Sequence, residues 1–194
     1  SMFINDGSYP ASDDGADEHI YGLTLGAIVG SDDLNGDGKS DIISYNGSNI
    51  YIFYQAESWP ATSSDANSII SISSTDFSLA DLNNDSKIDL AISNKYYTSN
   101  TGRVYVFYQD GSWPLTYHGA DLTYTGEATG NYFGSSLASA DFNNDGINDL
   151  AIGAYGYNSN QGKVYIRISE VKAEPDRSAQ FRGQIQFRGD VKLK

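Results

Sequence analysis

From Asp141 to Asp149 the chain reads DFNNDGIND, with oxygen-bearing side chains at its first, third, fifth and ninth positions: Asp141, Asn143, Asp145 and Asp149. Ile147, at the seventh position, has a backbone carbonyl to add. Ca2+ takes such hard oxygens, about six to eight of them at roughly 2.3–2.6 Å in flexible geometry, whereas Mg2+ demands a stricter octahedron. Gly146 at the sixth position allows the sharp turn that returns the later ligands to the ion, because glycine reaches positive φ at little cost.

The same pattern, D-x-N-x-D-x-x-x-D, occurs twice more. Asp33, Asn35, Asp37 and Asp41, with Lys39 at the carbonyl position, form one copy; Asp81, Asn83, Asp85 and Asp89, with Lys87, form the other. The three copies start 48 and 60 residues apart. A single stretch of this kind reads equally well as a metal-free turn, since Asn and Asp favour turns unaided. Three in register weigh toward calcium, because each loop gathers carboxylates whose mutual repulsion a divalent cation removes. The expected role is structural rather than catalytic. An EF-hand would place a bidentate Glu at position twelve. Ser44, Ile92 and Ile152 stand there, and no helical pattern flanks the loops, so a sensor that opens a pair of helices is not indicated. Ser86 replaces the glycine found as Gly38 and Gly146, so a strained turn or weaker site is expected in the second copy.

These loops need strands to hold them. A second repeat lies out of phase with the first: NDGSYP ending at Pro10, AESWP ending at Pro60 and QDGSWP ending at Pro114, the latter two preceded by NIYIFYQ and RVYVFYQ. Each unit therefore reads strand, acidic loop, strand, loop, strand, turn. Ile50, Ile52 and Tyr54 share one face of their strand, and Tyr51 and Phe53 the other, because strand side chains alternate. A unit of three or four short strands cannot bury two faces alone, so neighbouring units must stack. An all-β fold of β-propeller blades follows, three of them, and a stacked sandwich explains the repeat less well.

Composition agrees. Among 194 residues are twenty Gly, fifteen Tyr and eight Phe, which suits strands and tight turns. A formal charge of −13 opposes nucleic acid and anionic membrane as partners. Cysteine is absent, which excludes disulfides and thiolate ligands. No apolar run reaches the roughly 18 residues of a membrane span, no secretion leader is read, and Ser1-Met2 has the look of a cloning remnant, so part of a longer protein is expected.

The third unit, YFGSSLASADFNNDGINDLAIGAYGYNSNQGKVYI, resembles the FG-GAP repeat of integrin α-subunit propellers and of related bacterial extracellular proteins. Phe133-Gly134 matches the Phe-Gly pair and Gly153-Ala154 the start of the Gly-Ala-Pro element, with Tyr155 in place of Pro. The first unit keeps Leu25-Gly26 but has Tyr45-Asn46 where Gly-Ala is expected; the second has Ser73-Ser74 and Ser93-Asn94. The resemblance implies a blade whose calcium loop links its first two strands at one face of a disc, with ligands bound at the opposite face. Family propellers have seven blades, so three imply a piece of a longer chain or a ring completed by a second copy, a homodimer giving six.

The expected organisation is an opening segment over 1–20, which a preceding or exchanged blade could use, repeats over 21–168, and a basic strand segment or tail over 169–194. Arg188-Gly189-Asp190 in that tail is read as a chance match to an integrin-recognised tripeptide. Trp59 and Trp113 are assigned to strand-end packing, with a sugar-stacking platform as the lesser reading. Catalysis is not expected: His19 and His118 stand at no paired spacing, no G-x-S-x-G elbow occurs, and the conspicuous acids are claimed by calcium. The expected function is a calcium-stabilised, extracellular interaction module for adhesion or recognition of a protein or glycan. The alternative is an accessory or catalytic part of a secreted polysaccharide- or lipid-processing hydrolase.

Overall fold

The computed structural model describes residues 29–56, 62–73 and 76–169. The opening segment 1–20, Leu25-Gly26, His19, Trp59, Ser74 and the tail from residue 170, with its Arg-Gly-Asp, lie outside the described residues.

Among the described residues eleven strands form three antiparallel sheets, each in sequence order. The first holds β1 (Val29–Asp32), β2 (Asp41–Tyr45), β3 (Asn49–Phe53) and β4 (Ser68–Ser71). The second holds β5 (Asp76–Ala80), β6 (Asp89–Asn94), β7 (Arg103–Phe107) and β8 (Leu122–Thr125), and the third β9 (Phe133–Ala140), β10 (Asp149–Ala154) and β11 (Lys163–Arg167). Each sheet is one repeat, so the sheets are propeller blades and the fold is all-β.

The two central strands of the first and second sheets are buried on both faces, which explains their near-continuous apolar runs. Ile43, Ile50 and Ile52 of the first sheet, with Leu34 of its acidic loop, pack against Leu90, Ile92, Tyr105, Phe107 and Trp113 of the second unit. The alternate residues of the second sheet, Ala91, Val104 and Val106, meet Phe133, Leu150, Ile152 and Ala154 of the third. Ile42, Tyr51 and Phe53 form a separate cluster on the far side of the first sheet. The alternation read in NIYIFYQ is real, and both of its faces are core. Trp113 is 5% exposed, in agreement with its assignment to packing.

The Phe-Gly pair locks the third blade to the second. Phe133 is buried, worth about 2 kcal/mol in removed apolar surface, and its amide donates to the Thr101 carbonyl. Gly134 sits at φ +81° directly over the second blade, where an added Cβ would stand 2.8 Å from Ser93 Cβ and 3.2 Å from Val104 Cγ2. Asp76 at the start of β5 reinforces the junction by accepting the Leu137 amide at 2.8 Å.

Candidate functional site: acidic loops and a tyrosine end

Each acidic loop joins the first two strands of its blade, as the repeat resemblance implied. Its turn is wound around the first aspartate. Asp33 Oδ1 accepts the amides of Gly36 at 2.7 Å and Asp37 at 3.1 Å, and its Oδ2 accepts that of Gly38 at 2.8 Å. Asp81 takes the amides of Asn83, Asp85 and Ser86, and Asp141 those of Asp145 and Gly146. The third-position oxygens of Asn35, Asn83 and Asn143 accept the fifth-position amide at 2.8, 3.0 and 2.9 Å. Asp37, Asp85 and Asp145 then accept the amides of Lys39, Lys87 and Ile147, each at 2.9 Å.

This winding requires left-handed backbone twice per loop. The sixth position shows it at Gly38 (φ 83°), Ser86 (65°) and Gly146 (90°), and the fourth at Gly36 (82°), Asn84 (60°) and Asn144 (62°). The strain expected at Ser86 is therefore present. The fourth-position requirement went unread, although Gly and Asn are the residues that tolerate it.

The ninth position has a distinct environment. Asp41, Asp89 and Asp149 are fully buried at the starts of β2, β6 and β10. Their Oδ2 atoms accept the amides of Leu34, Leu82 and Phe142, and their Oδ1 atoms those of Gln55, Gln109 and Ser169. Each thus fastens its loop to the chain leaving the third strand. Burial pushes the Asp41 carboxyl up and that of Asp89 up to about 6, and the neighbouring acids of each loop add to both shifts. Asp33 and Asp141 are held below the usual range, chiefly by the amides of Gly38 and Gly146.

The residues expected to bind metal thus divide into two groups. Positions one, three and five wrap the turn, which is largely exposed although Asn83 and Ile147 are buried, and which has a seventh-position carbonyl available; position nine points into the blade. Among the described residues no three His, Cys, Asp or Glu side chains converge into a set able to hold a metal ion. The donor chemistry still suits a hard cation: every donor is oxygen, carboxylate oxygens carry lone pairs beyond those the amides use, and the Asp89 carboxyl sits among acids that oppose its ionisation.

The opposite ends of the strands carry tyrosines. Tyr96 follows β6, Tyr132 precedes β9 and Tyr155 follows β10, so all three lie away from the acidic loops. Tyr132 and Tyr155 stack at 4.6 Å with 14° between planes, and Tyr96 meets Tyr132 edge-on at 6.4 Å. One-turn helical segments, Tyr97–Asn100 and Tyr157–Asn160, close the β6–β7 and β10–β11 loops. Thr98, Ser99, Asn158 and Ser159 inside them have positive φ. Arg103 lies over Tyr97 at 3.8 Å, and Lys163 over Tyr157 at 4.6 Å. A signal for these loops was available in the matched stretches YTSNTGRVY from Tyr97 and YNSNQGKVY from Tyr157. His118 is exposed, with its ring tilted 32° against Tyr117 at 4.1 Å.

Gln109 was also missed. Buried between blades, it donates through Nε2 to the Leu34 carbonyl of the preceding acidic loop and accepts the Gly111 amide.

Successive antiparallel blades, each with an acidic loop between its first two strands, define a repeat protein of the propeller class. Comparison with known families gives the particular repeat: the FG-GAP repeat model matches residues 133–166 and an FG-GAP-like repeat model matches residues 33–92. FG-GAP-type repeats therefore occupy residues 33–92 and 133–166 of the chain. The chain is 39% identical to integrin alpha-5 of Xenopus laevis over 99 residues, 46% of this chain and 9% of that protein. It is 33% identical to integrin alpha-IIb of Mus musculus over 112 residues, 53% of this chain and 11% of that protein. The chain therefore spans about a tenth of the length of these relatives.

Proposed function

We propose that the chain is a calcium-stabilised, non-catalytic recognition module of an extracellular or cell-surface protein, used in adhesion to a protein or glycan. The observation that carries this reading is the division of labour between the two ends of the blades. Acidic loops with all-oxygen donors repeat at one end, and aromatic loops are presented at the other. In each loop the first, third and fifth side chains and the seventh carbonyl would hold the ion, which would supply positive charge and rigidity. The ninth aspartate's contribution is to anchor the loop to its blade through two backbone amides.

The raised carboxyls do not suggest a hydrolase, because Asp41 and Asp89 are wholly buried and both their oxygens accept backbone amides. The relatives are integrin α chains by name, which favours an adhesion setting. Among the described residues no helix is long and apolar enough to cross a membrane. In this reading residues 21–168 are the repeat array, and a further blade, from a second copy or from a longer chain, would lie against the third.

Thermal melting with calcium and with EDTA is the test. Preferential binding to the folded state should raise the melting temperature in calcium, and Asp145→Ala should remove part of that gain. An unchanged melting temperature, with no calcium uptake by calorimetry, would end the proposal.

A further inference from the structure

We propose that Tyr96, Tyr132 and Tyr155 form a stacking platform for a neutral glycan chain, an assignment that rests on the recognition-module reading and specifies its ligand. The rings come from three separate segments and are held together by the backbone. The Tyr132 amide donates to the Asn100 carbonyl at 2.9 Å and the Gly156 amide to the Asn131 carbonyl at 3.2 Å, while Asn100 Nδ2 donates to the Tyr132 hydroxyl at 3.2 Å. An added Cβ at Gly156 would collide with the Gly130 carbonyl and stand 2.8 Å from the Tyr132 ring, so glycine is what lets these loops close.

The platform is costly to build. Tyr132 is held at φ +54°, a conformation that costs a non-glycine residue about 1–2 kcal/mol. That strain sets its ring beneath Tyr155. A stack serving packing alone would be covered, yet Tyr96, on the blade with a neighbour on each side, is 59% exposed, and Tyr155, beside the third blade's uncovered face, is 50% exposed. Tyr96 and Tyr155, both in contact with the fixed Tyr132 ring, are thus pre-organised and solvent-exposed, which reduces the ordering cost of binding.

The surroundings select the ligand class. The cations of these loops are already engaged with rings: Lys95 lies over Tyr96 at 5.1 Å, Arg103 over Tyr97, and Lys163 over Tyr157 while paired with Glu127 at 2.6 Å. The segments carrying the platform are otherwise rich in uncharged Asn, Ser and Thr. Nothing there favours a phosphate or an acidic peptide, and the chain's charge of −13 opposes one. A pyranose has a flat C–H face for an aromatic ring and hydroxyls for neighbouring amides. Apolar contact with a few fixed polar groups is the usual make-up of a small-ligand site.

The test is a titration of the full chain, tyrosine rings 13C-labelled, with cellohexaose, chitohexaose and mannohexaose, in calcium and in EDTA. Saturable shifts are expected for Tyr96, Tyr132 and Tyr155 with at least one sugar, and none for buried Tyr51 or Tyr105. Tyr155→Ala should weaken that sugar by about tenfold or more without lowering the melting temperature, and Tyr155→Phe should retain binding. Rings unmoved by all three sugars up to about 10 mM, or an affinity unchanged by Tyr155→Ala, would overturn the assignment. Unmoved rings together with calcium-raised melting would remove the glycan and leave the calcium-stabilised module standing; shifts without any calcium effect would do the reverse.

Discussion

The second and third blades carry nearly the same residues at matching positions and bury them differently. Val104 and Val106 of β7 correspond to Val164 and Ile166 of β11, and Leu82 corresponds to Phe142. In the second blade these are 0%, 2% and 4% exposed; in the third they are 65%, 44% and 48% exposed. Residue type follows the repeat, whereas burial follows the neighbour. The third blade's outer face therefore keeps the composition of an inter-blade surface while lacking a described blade against it. Gln109 sharpens the contrast. It crosses to the Leu34 carbonyl of the previous blade, while Ser169, at the matching position, still donates its backbone N–H to Asp149 but has no carboxamide with which to cross.

The comparison breaks most sharply by placing one charge on each face. Val104→Asp would bury an unpaired carboxylate between the second and third blades, at a cost of about 4 kcal/mol or more. Val164→Asp should stay within about 0.5 kcal/mol of the parent wherever no further blade covers that face. Urea unfolding of both variants measures the difference. Equal losses would mean that the third blade's outer face is covered in solution.

A second contrast concerns pH. The folded Asp89 carboxyl lies near 6, above its ordinary value of 3.8, so the fold favours its protonated form. Its stabilising contribution is complete below about 3.8 and is lost as pH rises through about 6. Asp33 and Asp141, shifted down, act oppositely: their contribution is present above 3.8 and fails as the solution becomes more acid than that. In EDTA, melting temperature should therefore rise on acidification from about pH 7.5 to about pH 5 and fall again below about pH 4. Asp89→Asn should shrink the first limb, leaving what the likewise raised Asp41 contributes, and keep the second. A flat profile over the upper range would show that Asp89 is not short of positive charge.

The repeats and acidic loops were legible because their spacing recurs at 48 and 60 residues and survives substitution elsewhere. Strand alternation was legible too, but not that both faces are core, since a period of two reports facing and not coverage. The orientation of Asp41, Asp89 and Asp149 was hidden for a related reason. A carboxylate at position nine has the same spacing whether it meets an ion or two backbone amides. The tyrosine end was the least accessible, because Tyr96, Tyr132 and Tyr155 lie 36 and 23 residues apart and meet only after two blades have stacked.

The smallest expected effect compares one backbone position in the two loops. Ser86 and Gly146 occupy the same sixth position, at φ 65° and 90°. An added Cβ at Gly146 would find no heavy atom within 4 Å, so packing does not distinguish the sites. Left-handed backbone costs serine about 1–2 kcal/mol, while glycine's extra freedom in the unfolded chain returns about 0.5–1 kcal/mol of that. Ser86→Gly should therefore stabilise the second loop by about 0.5 kcal/mol, and Gly146→Ser should destabilise the third by a similar amount. The double exchange should come out near zero, because sites on separate blades add independently. If Ser86→Gly destabilised instead, the serine hydroxyl would be contributing a bond to its loop, and the two sixth positions would no longer be equivalent.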